Sequence, residues 1–287
     1  MQKSLFIAII SLLVYACAVS DTKTSEPTKL LRQDIRLYSE AVKDSFYISV
    51  QLPEGYHENP DKKYPTAYVT DANFYFPMLA GIVSQYQTAG LLPPMILVGI
   101  GYKSFPLMDS LRVRDYLYPA AIPSDEMQTP GGGKNFNDFI VSQLIPHIDA
   151  NFHADTTSRS LLGHSFGGYF SLYALLNQIE SKRSTFKSIA SASPSLWYNN
   201  FYLNQLTEKL QNRSTKDSLN LFLTVGGSEE QTWNVAPVQK LAASIRKAPV
   251  ENLAFQEHIY NDLEHMDVAL ISFTKALQAF YKMQENQ

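Results

Sequence analysis

A serine flanked by two glycines lies in the second half of the chain and has the spacing of a catalytic nucleophile. The segment Gly163-His164-Ser165-Phe166-Gly167 follows a β-forming run at residues 160–163 and opens an apolar helical pattern at residues 168–177. Glycines at both ends allow the sharp reversal from strand to helix that leaves a serine hydroxyl exposed above a sheet. The pattern predicts Ser165 as a nucleophile, with a structural turn as the alternative.

A serine nucleophile needs a histidine that accepts its proton, and chain order restricts the choice. In hydrolases built on this turn the nucleophile comes first, the acid second and the histidine last. Only His258 and His265 follow Ser165. His258 falls inside a β-forming run at residues 253–260, whereas His265 lies in the loop after it. His265 is therefore the predicted general base, and a solvated loop histidine is the alternative.

The acid is expected at the carboxyl end of the strand before last, because the histidine lies in the loop after the final strand. The apolar run at residues 219–225 is followed closely by Glu229 and Glu230. Neighbouring side chains point in different directions, so only one of the two can reach the imidazole. We assign Glu229 as the acid and keep Glu230 as the alternative.

Two backbone amides are needed to stabilise the oxyanion that forms during attack on a carbonyl. One is expected from Phe166, the residue after the nucleophile. The other is expected from the loop after the run at residues 65–70, and Asn73 is the candidate there. Asp71 could brace this loop through its side chain, and an ordinary Asx turn explains it equally well.

Strand and helix patterns alternate along most of the chain, which predicts an α/β fold with a mostly parallel sheet covered by helices on both faces. Shorter connections near the start favour an antiparallel edge there. Ligands of such sheets bind beyond the carboxyl ends of the strands. The predicted strands are 46–52, 65–70, 95–101, 160–163, 187–192, 219–225 and 253–260; the predicted helices are 135–150, 168–177, 200–210, 238–247 and 267–283.

The first twenty residues have the composition of an export signal. Lys3 precedes an apolar run at residues 5–14, which is short for a membrane span and ends in small residues. We therefore expect a signal peptide over 1–20, a polar segment over 21–34 and a catalytic domain over 35–287. The sequence before Cys17 also resembles a lipoprotein cleavage box. A free periplasmic or secreted protein, a lipid anchor at Cys17 and a retained membrane anchor all remain open.

Composition argues against several other classes of protein. Cys17 is the single cysteine, so a disulfide framework and thiolate metal sites are excluded. The net charge of -3 offers no basic field for nucleic acid. The glycine-rich segment 131–134 lacks the spacing of a P-loop. We expect no metal and no cofactor, and a small-molecule ester as the partner; the oligomeric state is left open.

Several sequence blocks resemble the esterase branch of the α/β hydrolases, which includes siderophore esterases, feruloyl and acetyl xylan esterases, formylglutathione hydrolases and mycolyltransferases. The blocks are Thr70 to Asn73, Arg112 to Pro119, residues 136–152, Gly163 to Gly168, Ser193 to Trp197, and His265. The second and fifth blocks are most similar to periplasmic siderophore esterases. The resemblance implies an α/β-hydrolase fold and ester hydrolysis without a cofactor.

Substrate contacts are expected from side chains that follow strand ends near the mouth of the site. Arg112, Arg114, Tyr116 and Trp197 would suit an anionic or aromatic acyl group, because arginine clamps anions and stacks on rings. The alternative is that the arginines brace a loop and Trp197 fills space behind the serine. The competing functions are an acetyl or feruloyl esterase acting on plant polysaccharides, and a catalytically silent binding protein of the same fold.

Overall fold

The computed structural model describes residues 31–214, 217–247 and 250–281. The predicted signal peptide, Cys17 and residues 21–30 lie outside the described residues. The described chain forms one compact unit from Leu31 onward.

A single eight-stranded sheet forms the centre of this unit, in the order β1-β2-β4-β3-β5-β6-β7-β8. The pairings of β2 with β1 and with β4 are antiparallel, and the other neighbouring strands pair in parallel. The predicted antiparallel edge is present. The strands are β1 (Arg32–Ser39), β2 (Asp44–Gln51), β3 (Tyr64–Val69), β4 (Ile96–Gly101), β5 (Ala154–His164), β6 (Ser188–Ala192), β7 (Leu219–Gly226) and β8 (Leu253–Tyr260).

Helices cover both faces of the sheet and bury its apolar side chains. One apolar cluster contains α1 and α9, and the opposite cluster contains α3, α4, α5, α7 and α8. Strands β4 and β6 are buried along their whole length, as expected for strands covered on both sides. The helices are α1 (Ala72–Thr88), α2 (Phe105–Tyr116), α3 (Gly133–Phe139), α4 (Ile145–Asn151), α5 (Phe166–Glu180), α6 (Tyr198–Phe201), α7 (Leu206–Gln211), α8 (Ala236–Lys247) and α9 (Val268–Phe280).

The structure differs from the sequence expectation in several elements, and the helix expected at 135–150 is divided into α3 and α4 by a π-helical turn at Ile140–Leu144. Strand β1 begins inside the segment predicted to be polar, and its outer positions are exposed, so its pattern carries little apolar signal. Helices α1 and α2 have weak amphipathic patterns and were not predicted. The helix expected at 200–210 is regular only from Leu206, because Asn200 and Phe201 are left-handed at φ 51° and 59° and a 3-10 turn follows over Tyr202–Gln205. Asn199 just before it is left-handed as well, at φ 49°. Tertiary hydrogen bonds from Asn199 to Asp125 and Ala120 hold that turn.

The carboxyl ends of the parallel strands meet at one edge of the sheet. The residues that follow β3, β5 and β7 in sequence include Asp71, Ser165 and Glu229, and His265 follows β8. A parallel sheet thus gathers residues from distant parts of the chain along one rim.

Candidate active site

The turn between β5 and α5 holds Ser165 in a strained conformation. Its φ of 59° and ψ of −119° lie in a region that non-glycine residues rarely adopt. A Cβ on Gly163 would lie 1.9 Å from the carbonyl oxygen of Gly167, and one on Gly167 would lie 2.4 Å from Thr70 Oγ1. Both glycines are therefore required by close packing. The partly exposed Ser165 has the geometry of a nucleophile elbow.

His265 and Glu229 contact each other directly across the rim. Nδ1 of His265 lies 2.7 Å from Oε2 of Glu229, whose side chain has no exposed surface. A carboxylate only accepts, so Nδ1 carries the hydrogen and donates it. In a neutral imidazole this leaves Nε2 unprotonated, which is the state that a general base needs.

Hydrogen bonds keep the Glu229 carboxylate charged despite its burial. Burial by itself would raise the pKa of Glu229, but the bonds from His265, Ser193 and the Gly226 amide outweigh it and hold this pKa below its ordinary value. The Gly226 amide lies 2.8 Å from Oε1, and the Ser193 hydroxyl donates to the same oxygen. The Glu229 carboxylate is therefore ionised while it is bonded to His265.

Glu230 caps a helical turn, whereas Glu229 bonds His265. Its Oε2 accepts a hydrogen bond of 2.5 Å from the amide of Trp233 and so caps the π-helical turn Gln231–Val235 before α8. That amide bond is the main reason that the pKa of Glu230 is lowered. The imidazole of His265 is bonded to Glu229 and not to Glu230.

Two glycines at the end of β7 let the histidine loop approach closely. A Cβ on Gly226 would lie 2.3 Å from the carbonyl oxygen of Leu263, and one on Gly227 would lie 2.7 Å from Asn261 Cα. The Gly227 amide also donates to the carbonyl of Tyr260. The loop that carries His265 therefore packs directly on the strand end that carries Glu229.

Ser165 and the two candidate oxyanion donors lie at the starts of helices. Phe166 is the first residue of α5, and Asn73 is the second residue of α1 rather than a loop residue. Neither amide has a carbonyl four residues earlier in its own helix, so both are available to an anion near the positive helix end. Among the described residues, the Ser165 hydroxyl makes no hydrogen bond to His265 or to any other group.

Side-chain hydrogen bonds fix the position of Asn73. Its Oδ1 accepts from the amide of Tyr102 at 2.7 Å, and its Nδ2 donates to the carbonyl of Tyr102 at 2.8 Å. This pair of bonds ties the start of α1 to the end of β4, so the orientation of the Asn73 amide is set by two strand ends.

The guanidinium of Arg112 forms a bidentate ion pair with Asp71. Nε and Nη2 each bond one Asp71 oxygen at 2.8 Å, and Nη2 also lies 3.3 Å from the carbonyl of His164. The ion pair is buried, with 14% and 3% of the two side chains exposed. Arg112 also lies 5.3 Å from the centre of the Phe166 ring. Its contacts therefore join the start of α1 to the elbow.

The other residues expected to bind substrate differ in their exposure. Tyr116 is fully buried, and its hydroxyl accepts from the Asp71 amide, so in this conformation it cannot contact a substrate. Arg114 bonds Asp115 at 2.7 and 3.0 Å and Asp44 at 3.1 Å. Half-buried Trp197 packs edge to face with Phe166, with ring centres 6.2 Å apart. Trp197 thus contacts the residue that follows Ser165 in the elbow.

Three residues with contacts to the site were not singled out by the sequence analysis. Ser193 bonds Glu229, Tyr75 bonds His164, and His164 bonds the backbone of His265. Tyr75 lies outside every recognised block. Ser193 opens the block Ser193 to Trp197, but nothing in the sequence indicates that it bonds Glu229. His164 belongs to the elbow motif, but its partners come from distant segments.

Within residues 31–214, 217–247 and 250–281, no cluster of three or more histidine, cysteine, aspartate or glutamate side chains could hold a metal ion. Over the same ranges, no helix is both long and apolar enough to cross a membrane.

A family model described as "Putative esterase" matches residues 39–268, which covers most of the chain and every residue of the site. The chain belongs to this esterase family. Membership supports carboxylic-ester hydrolysis and confirms the expected family. The α/β-hydrolase fold class is confirmed as well.

Named relatives and solved structures agree with this assignment. The chain is 30% identical over 184 residues to the ferri-bacillibactin esterase BesA of Bacillus subtilis (60% of this chain, 62% of that protein). It is 31% identical over 144 residues to the apo-salmochelin esterase of Escherichia coli O6:H1 (48% and 43%). Both alignments span less than two thirds of the relative. The crystal structure of the BES protein from Bacillus cereus has a TM-score of 0.77 and 25% identity, covering 91% of this chain and 99% of that one.

Proposed function

We propose that this protein is an exported serine esterase that works through an acyl-enzyme with Ser165, His265 and Glu229 as its catalytic triad. The observation that carries the proposal is the 2.7 Å contact between Nδ1 of His265 and a buried, ionised Glu229 beside a strained serine turn. Membership of the esterase family supports the reaction class.

The first half of the reaction forms the acyl-enzyme. Ser165 Oγ attacks the ester carbonyl carbon while its proton moves to Nε2 of His265. The carbonyl oxygen becomes an oxyanion that accepts hydrogen bonds from the amides of Phe166 and Asn73. The bond to the alcohol oxygen then breaks, and the alcohol leaves with the proton that His265 returns.

The second half releases the acid. Water attacks the acyl carbonyl and gives its proton to His265, and the same two amides stabilise the second oxyanion. The bond to Ser165 Oγ breaks, and His265 returns the proton to the serine. The charge of Glu229 stabilises the imidazolium that exists between these transfers.

Siderophore or aromatic acyl esters are the proposed substrate class. The relatives whose names specify siderophore esters support this choice. Half-buried Trp197 beside Phe166 offers an aromatic face next to the nucleophile. We assign Arg112 and Arg114 a bracing role, because their guanidinium groups are bonded to Asp71, Asp115 and Asp44. Acetyl and feruloyl esters of polysaccharides are the competing substrates.

Export rests on the N-terminal sequence alone. Lys3, the apolar run that follows and the small residues near Cys17 support a signal peptide. Mass spectrometry of the mature protein distinguishes a free N-terminus from a lipidated Cys17.

An ester panel with matched variants tests the proposal. The purified protein is assayed on p-nitrophenyl acetate and butyrate, a feruloyl ester and a catecholate trilactone, with and without EDTA. We expect hydrolysis that EDTA does not change, since every step uses protein groups. Ser165→Ala should lower turnover by about a thousandfold or more while leaving thermal unfolding unchanged. Normal turnover in a folded Ser165→Ala protein, or activity that is lost with EDTA and restored by zinc, would contradict the proposal.

A further inference from the structure

A second histidine, His164, lies next to the proposed base His265, and both of its ring nitrogens make hydrogen bonds. His164 is 2% exposed. Its Nδ1 lies 2.8 Å from the hydroxyl of Tyr75, and its Nε2 lies 2.7 Å from the backbone carbonyl oxygen of His265. The sequence positions of Tyr75 and His265 are 89 and 101 residues away, so only the fold brings the three together.

The chemistry of the two partners fixes the tautomer of His164. A carbonyl oxygen only accepts, so Nε2 of His164 carries a hydrogen and donates it to His265. Burial lowers the pKa of His164 to about 3, with the nearby His265 as a further cause, and the ring is therefore neutral. Its Nδ1 must then accept, and the Tyr75 hydroxyl donates.

This chain of hydrogen bonds connects three parts of the proposed machinery. Tyr75 lies in α1, whose second residue carries the proposed oxyanion amide. His164 directly precedes Ser165 at the elbow. The His265 loop receives one anchor from His164 on its backbone and another from Glu229 on its side chain.

We propose that His164 is a positioning residue that holds the His265 backbone, and so sets the place from which the imidazole takes the Ser165 proton. Tyr75 fixes the tautomer that lets His164 do so. The inference rests on the proposed function, because it assumes that His265 is the general base. It adds a residue that acts on the base without touching the substrate.

The neutrality of His164 suits this position. Its ring centre lies 4.5 Å from that of His265. A second positive charge at that distance would oppose the imidazolium that forms when His265 takes the serine proton. A neutral donor supplies the same hydrogen bond without that repulsion.

Three variants separate positioning from simple packing. His164→Ala should lower kcat by about a hundredfold with KM changed by less than about threefold, because a misplacement of about 1 Å costs that much in a proton-transfer geometry. His164→Gln keeps an N–H at nearly the place of Nε2 and should recover kcat to within about tenfold of wild type. Tyr75→Phe removes one neutral hydrogen bond and should lower kcat by about fivefold. The exposed His258→Ala serves as the control and should leave kcat unchanged.

A double-mutant cycle provides the decisive measurement. If His164 acts through His265, then adding His164→Ala to a His265→Ala protein should lower the residual rate by less than about twofold. A role in supporting the neighbouring Ser165 or the fold would lower the rate again in that background. Thermal unfolding of each variant shows which proteins are folded.

The outcomes distinguish this inference from the function on which it depends. A further loss of about tenfold or more in the His265→Ala background, or no recovery with His164→Gln, overturns the role of His164 while the triad stands. If His164→Ala does not fold, His164→Gln and Tyr75→Phe still test the inference. A wild-type kcat in folded Tyr75→Phe together with a lost kcat in His164→Gln overturns the positioning role of His164. Normal turnover in Ser165→Ala overturns the proposed function, and the inference with it.

Discussion

Replacing Glu229 by glutamine removes the negative charge that faces the proposed base but keeps the size and one acceptor oxygen of the side chain. The contact at stake joins Oε2 to Nδ1 of His265 at 2.7 Å, with the carboxylate fully buried and 36% of the histidine side chain exposed. Partial exposure argues for an effective dielectric constant of about 20 rather than a dry interior.

The expected loss follows from the charge on the imidazolium. Two unit charges about 4 Å apart attract by about 4 kcal/mol at a dielectric constant of about 20. Each 1.36 kcal/mol of barrier changes a rate by about tenfold, so Glu229→Gln should lower kcat by about a thousandfold. The amide nitrogen of the new glutamine can also donate to Nδ1, which favours the tautomer with its hydrogen on Nε2. That tautomer cannot accept the serine proton and lowers kcat further.

Glu230→Gln is the matched control, since the same substitution one residue later removes a charge that caps a helical turn. Its kcat should stay within about threefold of wild type. Both variants are assayed with p-nitrophenyl butyrate at pH 7 to 8 after thermal unfolding shows that they are folded. A folded Glu229→Gln protein with kcat within about threefold of wild type, or a larger loss in Glu230→Gln, would refute the reasoning.

Three further results are expected. Because the pKa of Glu229 is depressed from 4.5, its charged form stabilises the fold fully above about pH 4.5, and this contribution disappears as the pH falls through the lowered pKa. The free energies of unfolding of wild type and Glu229→Gln, measured by urea titration, should therefore converge as the pH falls from 7 to 3. A difference that stays constant would count against an ionised Glu229. Arg112→Ala leaves Asp71 buried without its partner, so the free energy of unfolding should fall by about 3 to 5 kcal/mol in urea titrations, and a loss below about 1 kcal/mol would be inconsistent with this pair. Arg114→Ala should change KM equally for acetate and feruloyl esters because Arg114 is bonded to Asp115, whereas a selective rise for the feruloyl ester would restore a substrate role.

Much of the fold could be predicted from local pattern. Strands β4, β6 and β7 are buried apolar runs, and α8 has a marked amphipathic pattern, so each can be recognised from a short stretch of sequence. Helix α1 cannot, because apolar residues such as Met78 also lie on its exposed face and Pro77 interrupts the helical pattern. Strand β1 lies at an exposed edge and lacks an apolar face strong enough to recognise.

The site shows the same division between local and tertiary information. The elbow around Ser165 could be recognised because steric requirements for glycine act between residues close in sequence. The arginines of α2 could not be assigned in advance, since both bracing and substrate binding use the same residue type. Only the positions of Asp71, Asp115 and Asp44 show where their charges are neutralised.

The sequence by itself predicted the order of the proposed nucleophile, acid and histidine, and its alternation of strand and helix patterns predicted the mostly parallel sheet. It also named Ser165 and His265 as the candidates, because chain order and flanking pattern leave few others. Only the tertiary structure decided which of two adjacent glutamates contacts His265, and that His164 holds its backbone. Such contacts join residues tens to a hundred positions apart, and their 2.7 Å distances depend on how strands and loops pack. No local propensity encodes that packing.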